Sequence, residues 1–493
     1  MKKLSDYNFW FITGSQFLYG PETLKQVEED SIKIVEGLNN SKSIPCNIQF
    51  KSVMKTAEEI SEIVKEANYS NSCAGVIVFM HTFSPSKMWI NGLVSLQKPY
   101  CHLHTQYNRN IPNLDIDMDF MNLNQSAHGD REHGYIGARL AVARKIIAGF
   151  WDNEEVKEKL GDWMRVAVAV AISKSLKVMR FGDNMREVAV TEGDKVEAQR
   201  VFGWQVNTWP VGQLAQEISN VRGEEVELLL KQYQEEYILN TGDIESVRYQ
   251  ARIEIAIEKM LKDENCSSYS NTFEDLYGMK QLPGLASQHL MQKGYGFGAE
   301  GDWKTSALTH IMKVMGEEKG RGTSFIEDYT YDLSEGEELS LGAHMLEVCP
   351  TIAEDKPRIE VHPLSIGGKE PPARLVFEGK AGKAILATIV DMGNRYRLIV
   401  HEIECVKPIY DMPNLPVARV MWKAEPNFSI GTECWLIAGG AHHSVLSYDV
   451  TVEMMRDFAR ILGVEFVHIG KDTKVAEFEE HINILNTLAK IRY

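Results

Sequence analysis

Strand-like and helix-like segments alternate through the first part of the chain, and that alternation restricts it to a few architectures. Asn8-Phe-Trp-Phe-Ile-Thr13 is a short apolar run, and the chain from Pro21 to about Leu38 has helical character. Ile48-Gln-Phe-Lys51, Gly75–Met80 and Pro99–Leu103 read as further strands, with helices expected over Ala57–Ala67 and Pro85–Leu96. Strands that alternate with helices in this way pair in parallel, with the helices as crossovers. Sheets of that kind take ligands at the carboxyl ends of their strands, where Gln16, Leu18, His81 and His104 stand.

A second alternating block opens near residue 163, with a strand expected over Leu176–Phe181 and helices over Asp194–Phe202, Gly212–Val221, Glu224–Tyr237 and Ile244–Leu261. From about residue 321 short strands dominate: Thr323–Tyr331, Ala343–Val348, Arg358–His362, Ala373–Phe377, Ala384–Val390, Tyr396–Ile403, Ala418–Trp422 and Cys434–Ile437. So many short strands suggest a closed or sandwiched antiparallel sheet. Helices are expected over Val452–Ile461 and Val475–Lys490. The expected fold is therefore α/β, with two Rossmann-like (parallel-sheet, flavodoxin-like) domains at 1–170 and 171–322. A C-terminal antiparallel β-barrel domain with terminal helices is expected at 323–493.

A length of 493 residues exceeds what one core supports. The net charge of −16 argues against nucleic acid and anionic membrane as partners. Val166–Ile172 is far too short to span a bilayer, and Met1-Lys-Lys-Leu-Ser-Asp-Tyr7 lacks an apolar signal region. The 7 cysteines are dispersed and never spaced C-x-x-C, which points to reduced thiols and a cytoplasmic location.

The stretch Gly294-Tyr-Gly-Phe-Gly-Ala-Glu-Gly-Asp-Trp-Lys304 is expected to turn sharply beside a bound molecule. It presents Glu300 at the mouth of a helix, where exposed amides favour negative charge. The dinucleotide pattern G-x-G-x-x-G occurs at Gly296–Gly301, but a helix-like segment, Ala286–Lys293, precedes it instead of a strand. Without that context the pattern carries little weight. The polar stretch Asn122–Gly134, with Gln125, His128 and Asp130, is expected to lead into a helix over Ile136–Trp151.

Glu327 lies among aromatic and β-branched residues in Phe325-Ile-Glu-Asp-Tyr-Thr-Tyr331, where an acid needs a partner. His344 interrupts an otherwise apolar segment, and His442-His443 follow Gly439-Gly-Ala441. Two carboxylates with imidazoles make a mixed oxygen and nitrogen set suited to Mn²⁺, Co²⁺, Fe²⁺ or Zn²⁺. The lack of cysteine in the set weighs against structural zinc.

Six segments together are similar to one family: Gly14-Ser-Gln-Phe-Leu-Tyr-Gly20, Gln125-Ser-Ala-His-Gly-Asp-Arg-Glu132, Gly298-Ala-Glu-Gly-Asp-Trp-Lys-Thr305, Thr323-Ser-Phe-Ile-Glu-Asp-Tyr-Thr-Tyr331, His344-Met-Leu-Glu-Val-Cys-Pro350 and Gly439-Gly-Ala-His-His-Ser444. They closely resemble the L-arabinose isomerases, and the resemblance spans nearly the whole chain. It implies interconversion of L-arabinose and L-ribulose, and of D-galactose and D-tagatose, in L-arabinose catabolism. It also implies one divalent cation per subunit, Mn²⁺ with Co²⁺ as a substitute, held by Glu300, Glu327, His344 and His443. Glu300 and Glu327 would be the acid/base pair. Sugar contacts would fall on Gln16, Leu18, Met185, Phe273, Ile366 and His442, with His128 reaching in from a neighbouring subunit of a homohexamer. Ser444 stands where some members have Thr, and both offer a hydroxyl.

Aldose–ketose isomerisation by an ene-diol needs a base for the carbon-bound proton and a group that stabilises oxygen charge. A hydride shift is the alternative route. Two other classes remain open on the residues alone: a sugar-binding protein without chemistry, and a metal-dependent hydrolase.

Overall fold

The computed structural model describes residues 2–364 and 366–491, and the chain divides into two compact units, 2–171 and 172–493.

In the first unit five strands form a wholly parallel sheet in the order Asn47–Met54, Asn8–Gly14, Cys73–Met80, Tyr100–His104, Lys145–Ala148. Cys73–Met80 is buried along its whole length, which is why the sequence shows an unbroken apolar run rather than an alternation. Thr56 caps the helix Ala57–Tyr69 by accepting from the Glu59 amide at 3.2 Å, and Glu58 and Glu59 fill the first turn.

One expectation here is corrected. The helix is Ser126–Arg139, built from the polar stretch itself, and Lys145–Ala148 is a strand rather than the end of a helix over Ile136–Trp151. The buried positions, Ser126, Gly129, Asp130, His133, Ile136 and Gly137, do have helical spacing. They are mostly polar or small, however, so an apolar search misses them. Asp130 faces the sheet and accepts from His102 Nε2 and His104 Nδ1, each at 2.6 Å.

The second unit contains a four-stranded parallel sheet in the order Gly296–Ala299, Ser268–Asn271, Lys177–Phe181, Gln205–Trp209. Its core gathers Met179, Tyr269, Phe297 and Phe325 with Leu290 and Ile257. The glycine-rich stretch is turn, strand, turn and helix, and two of its four glycines, Gly296 and Gly298, lie in the strand. A Cβ at Gly296 or Gly298 would collide with the backbone of the helix Trp303–Met315, so these glycines let that helix lie against the strand. Gly294, with φ of 99°, turns the chain into the strand, and Glu300 and Gly301, with φ of 58° and 79°, turn it towards the helix.

The same unit holds a seven-stranded sheet in the order Gly382–Asp391, His443–Ser447, Thr323–Asp332, Leu339–Ala343, Arg419–Ala424, Tyr396–Val406, Glu465–Ile469. Gly382–Asp391 also pairs with Tyr396–Val406. The pairings are antiparallel except the last, where Glu465–Ile469 runs parallel to Tyr396–Val406. The sheet is therefore mixed, which corrects the expectation of a purely antiparallel barrel domain: Glu465 follows the helix Val452–Leu462, a crossover that returns the chain in the parallel sense.

Cys434–Ile437 is also not a strand. It lies in the helix Phe428–Ala438, which Asn427 caps by accepting from the Ile430 amide at 3.0 Å and Gly439 ends in the left-handed region. Short apolar runs fit either element, and here the flanking caps decide. The strand expected over Ala343–Val348 is Leu339–Ala343, which ends just before His344.

Candidate active site

Strand register assembles the site. Glu327 pairs with His443 on one side and with Ala343 on the other, and His344 follows Ala343 directly. Glu327 and His443 thus stand side by side on adjacent strands, with His344 at the end of a third. Glu300 arrives from the four-stranded parallel sheet of the same unit, on the turn between Gly296–Ala299 and Trp303–Met315. A non-glycine residue at positive φ is uncommon and occurs where surrounding structure fixes it. Here the Glu300 carbonyl accepts from the Met185 amide at 2.9 Å and the Gly301 amide donates to the Asn271 carbonyl at 3.1 Å.

Single ligand atoms of Glu300, His344 and His443 lie within 4.8 Å of one another. Glu327 Oε2 stands 3.8 Å from His344 Nε2, and Glu300 Oε2 is 3.7 Å from His443 Nε2 and 3.6 Å from His442 Nε2. The Phe325 ring packs edge-on against both His344 and His443, with centroids 5.1 Å apart in each case.

Each of these two imidazoles is anchored through its far nitrogen. His344 Nδ1 donates to Glu347 Oε2 at 2.5 Å, and His443 Nδ1 donates to Asp302 Oδ2 at 3.2 Å. A carboxylate only accepts, so both rings carry the proton on Nδ1 and present an Nε2 lone pair to the centre. His443 is fully buried, and its Nε2 has no hydrogen-bond partner among the described residues. A buried unpartnered nitrogen facing a carboxylate and the His344 imidazole fits a divalent cation, since orphaned polar atoms are otherwise costly.

Electrostatics follow from this packing. Burial alone would raise the Glu300 carboxyl, but the neighbouring imidazoles of His442, His443 and His344 outweigh it and hold it below the usual range. Burial would lower His344, yet Glu347, by charge and hydrogen bond, and then Glu327 and Glu300 raise it. Burial would raise Asp302; Lys304, whose Nζ is 3.4 Å away, and His443 instead keep it well below the ordinary carboxylate range.

A cavity of about 230 Å³ opens beside these groups, and Glu300, Glu327, His344 and Glu347 line it. Met185, Phe273 and Ile366 line the same cavity. His442 touches Glu300 but lines a different cavity. Gln16, Leu18 and His128 belong to the 2–171 unit. There Gln16 Nε2 donates to the Phe83 carbonyl at 3.1 Å, Leu18 is 82% exposed, and the exposed His128 ring lies 4.5 Å from that of Phe83. Sequence reasoning did not single out Glu347 and Asp302, which sit three and two residues from His344 and Glu300 in the motifs already noted.

Three family models cover the chain: "L-arabinose isomerase N-terminal domain" at residues 3–175, "L-arabinose isomerase central domain" at 177–318 and "L-arabinose isomerase C-terminal domain" at 322–465. The L-arabinose isomerase of Geobacillus stearothermophilus is 58% identical over 488 residues, 98% of each chain. That of Anoxybacillus flavithermus is 58% identical over 98% of this chain and 97% of its own, and that of Thermotoga maritima is 55% identical over 98% of each. With matches of that extent along its whole length, the chain belongs to the L-arabinose isomerase family.

Proposed function

We propose that this chain is an aldose–ketose isomerase that interconverts L-arabinose and L-ribulose, and also D-galactose and D-tagatose, in L-arabinose catabolism. The observation that carries the reading is the convergence of Glu300, His344 and His443 within 4.8 Å, beside a cavity that Glu327 also lines. The relatives' name, L-arabinose isomerase, supports L-arabinose as a substrate.

Glu300, Glu327, His344 and His443 would hold one divalent cation, and two oxygen with two nitrogen donors suit Mn²⁺, with Co²⁺ as a substitute. Bound there, the cation supplies Lewis-acid stabilisation of the oxygen charge that develops during an ene-diol reaction. The two glutamates do the proton work. One carboxylate takes the proton from C2 of the aldose and returns it at C1, while the second carboxyl exchanges protons with the sugar oxygens. Glu347 and Asp302 keep the imidazoles in the tautomer that leaves Nε2 free. Met185, Phe273 and Ile366 supply apolar walls that exclude water from the reacting carbons.

The full assignment includes three domains, 1–170, 171–322 and 323–493. The C-terminal sheet is read as a barrel, supported by the pairing of Gly382–Asp391 with Tyr396–Val406. The assembly is a cytoplasmic homohexamer in which His128 of a neighbouring chain, with Gln16 and Leu18, reaches the sugar; the exposure of Leu18 and His128 supports this. Incubation of the Mn²⁺-loaded protein with L-arabinose should yield ketose, and turnover in heavy water should place deuterium at C1. Absence of ketose with Mn²⁺ and with Co²⁺ would overturn the activity, and full retention of the substrate hydrogen would overturn the ene-diol route. Sedimentation of a monomer would overturn the assembly.

A further inference from the structure

The strand Thr323–Asp332 has two faces. Phe325 lies in the core that extends under the parallel sheet, and Glu327 faces the candidate cation site beside it. Ile326 belongs instead to the core formed with Leu386, Trp422 and Leu446, and Asp328 follows it on that side by the period-two alternation of a strand. On that side lies a second, partly open cavity of about 360 Å³, lined by the seven-stranded sheet and the helix Phe428–Ala438.

Its walls are both aromatic and polar. Trp422 and Trp435 contribute indole rings, while Asp328, Ser340, Ser444 and His442 contribute polar groups. Trp435 Nε1 donates to the Ala441 carbonyl at 3.0 Å, and Tyr331 donates to Asp328 Oδ2 at 3.1 Å, so ring and carboxylate are both held in place. The volume falls within the range of small-molecule sites, ≈300–1,000 Å³, and a few fixed polar groups among aromatic walls are what such sites use to orient a ligand. Indole faces suit the C–H surface of a saturated ring or chain, and carboxylate and hydroxyl groups suit its hydroxyls.

We propose that this cavity is a second binding site for a neutral sugar or polyol, separate from the isomerisation cavity and on the opposite face of the strand that carries Glu327. His442 lines it and also stands 3.6 Å from Glu300, so the two sites share one side chain.

The test counts bound L-arabinitol, a polyol with no carbonyl to isomerise, by equilibrium dialysis against the full-length Mn²⁺-loaded protein. Ala424→Leu fills the cavity from the sheet side and Thr432→Leu from the helix side; both residues line it and neither belongs to the catalytic groups. Wild type should bind one equivalent per chain more than either variant, while the variants keep the wild-type melting temperature. A crystal of the wild-type protein soaked in L-arabinitol should show the ligand between Trp422 and Trp435. Equal counts in wild type and a folded variant would overturn the proposal, as would a soaked crystal with no ligand there. Because the readout is a difference in binding, it stands apart from whether the protein isomerises L-arabinose.

Discussion

Replacing Glu347 by glutamine separates the two jobs assigned to the groups behind the histidines. Glu347 Oε2 accepts from His344 Nδ1 at 2.5 Å and from the Leu346 amide at 3.0 Å, in a pair whose side chains are each 9% exposed. Glutamine keeps the volume and an acceptor oxygen, so both hydrogen bonds can form and the fold is retained. The negative charge is lost. With it goes the largest influence that raises His344 against burial, and His344 Nε2 becomes a weaker donor to a cation. Loss of such an outer partner typically weakens metal binding by ~10–100-fold, or about 1.4–2.8 kcal/mol at 1.4 kcal/mol per tenfold. Mn²⁺ affinity, measured by competition with a chelator, should fall by that amount in Glu347→Gln while the metal-free melting temperature changes little. Glu347→Ala should lose the affinity and also about 1–3 kcal/mol of metal-free stability, because the His344 N–H is left buried without an acceptor. A wild-type Mn²⁺ Kd in both variants would refute the reasoning.

Glu327→Gln should lower kcat by at least ~10²-fold with an unchanged far-UV spectrum, and near wild-type turnover would remove Glu327 from the acid/base pair. Gly301→Ala should cost about 1–3 kcal/mol in thermal or denaturant unfolding and reduce kcat: φ is 79°, and a Cβ would sit 2.5 Å from Asn184 Cα, so the Glu300 turn must move. A wild-type unfolding midpoint would contradict this. Burial pushes His310 down to about 4. Between pH 6.5 and 4 the unfolded chain therefore binds a proton that the folded chain does not. This contribution is intact above 6.5 and is lost on acidification, by about 1.4 kcal/mol per pH unit. His310→Asn keeps a donor for the Gly294 carbonyl, 2.9 Å from His310 Nδ1, and should flatten the slope of stability against pH; parallel slopes would refute it.

Four of the five strands of the first parallel sheet were legible as short apolar runs between helices, whereas of the second only Lys177–Phe181 was: Gln205–Trp209 is half-buried or exposed, and Ser268–Asn271 and Gly296–Ala299 are polar or glycine-rich. The helix Ser126–Arg139 escaped because its buried face is made of Asp130, His133 and glycines. The helix Phe428–Ala438 escaped because an apolar run of four residues carries no period, although Asn427 and Gly439 mark both of its ends. At the candidate site, an acid and two histidines in apolar surroundings were visible as groups in need of partners. That Glu327 sits opposite His443 was not visible, because register between strands more than a hundred residues apart is set by packing. Asp302 and Glu347 went unread because an acid at a helix start, or beside a turn, already has an ordinary local explanation. Asp302 does fill that ordinary role as well, accepting from the Thr305 amide at 3.2 Å.

The alignment of Ala343, Glu327 and His443 across three neighbouring strands has a consequence for how such chains can vary in length. Removing one codon before Glu327 inside Thr323–Asp332 would reverse every later side chain of that strand, carrying Glu327 into the hydrophobic position of Ile326 and the shorter Asp328 into the place of the base. The connection at 407–418 lies outside those strands and can lengthen or shorten without that reversal. Insertions and deletions tolerated during divergence should therefore collect in such connections and leave the three strands at constant length.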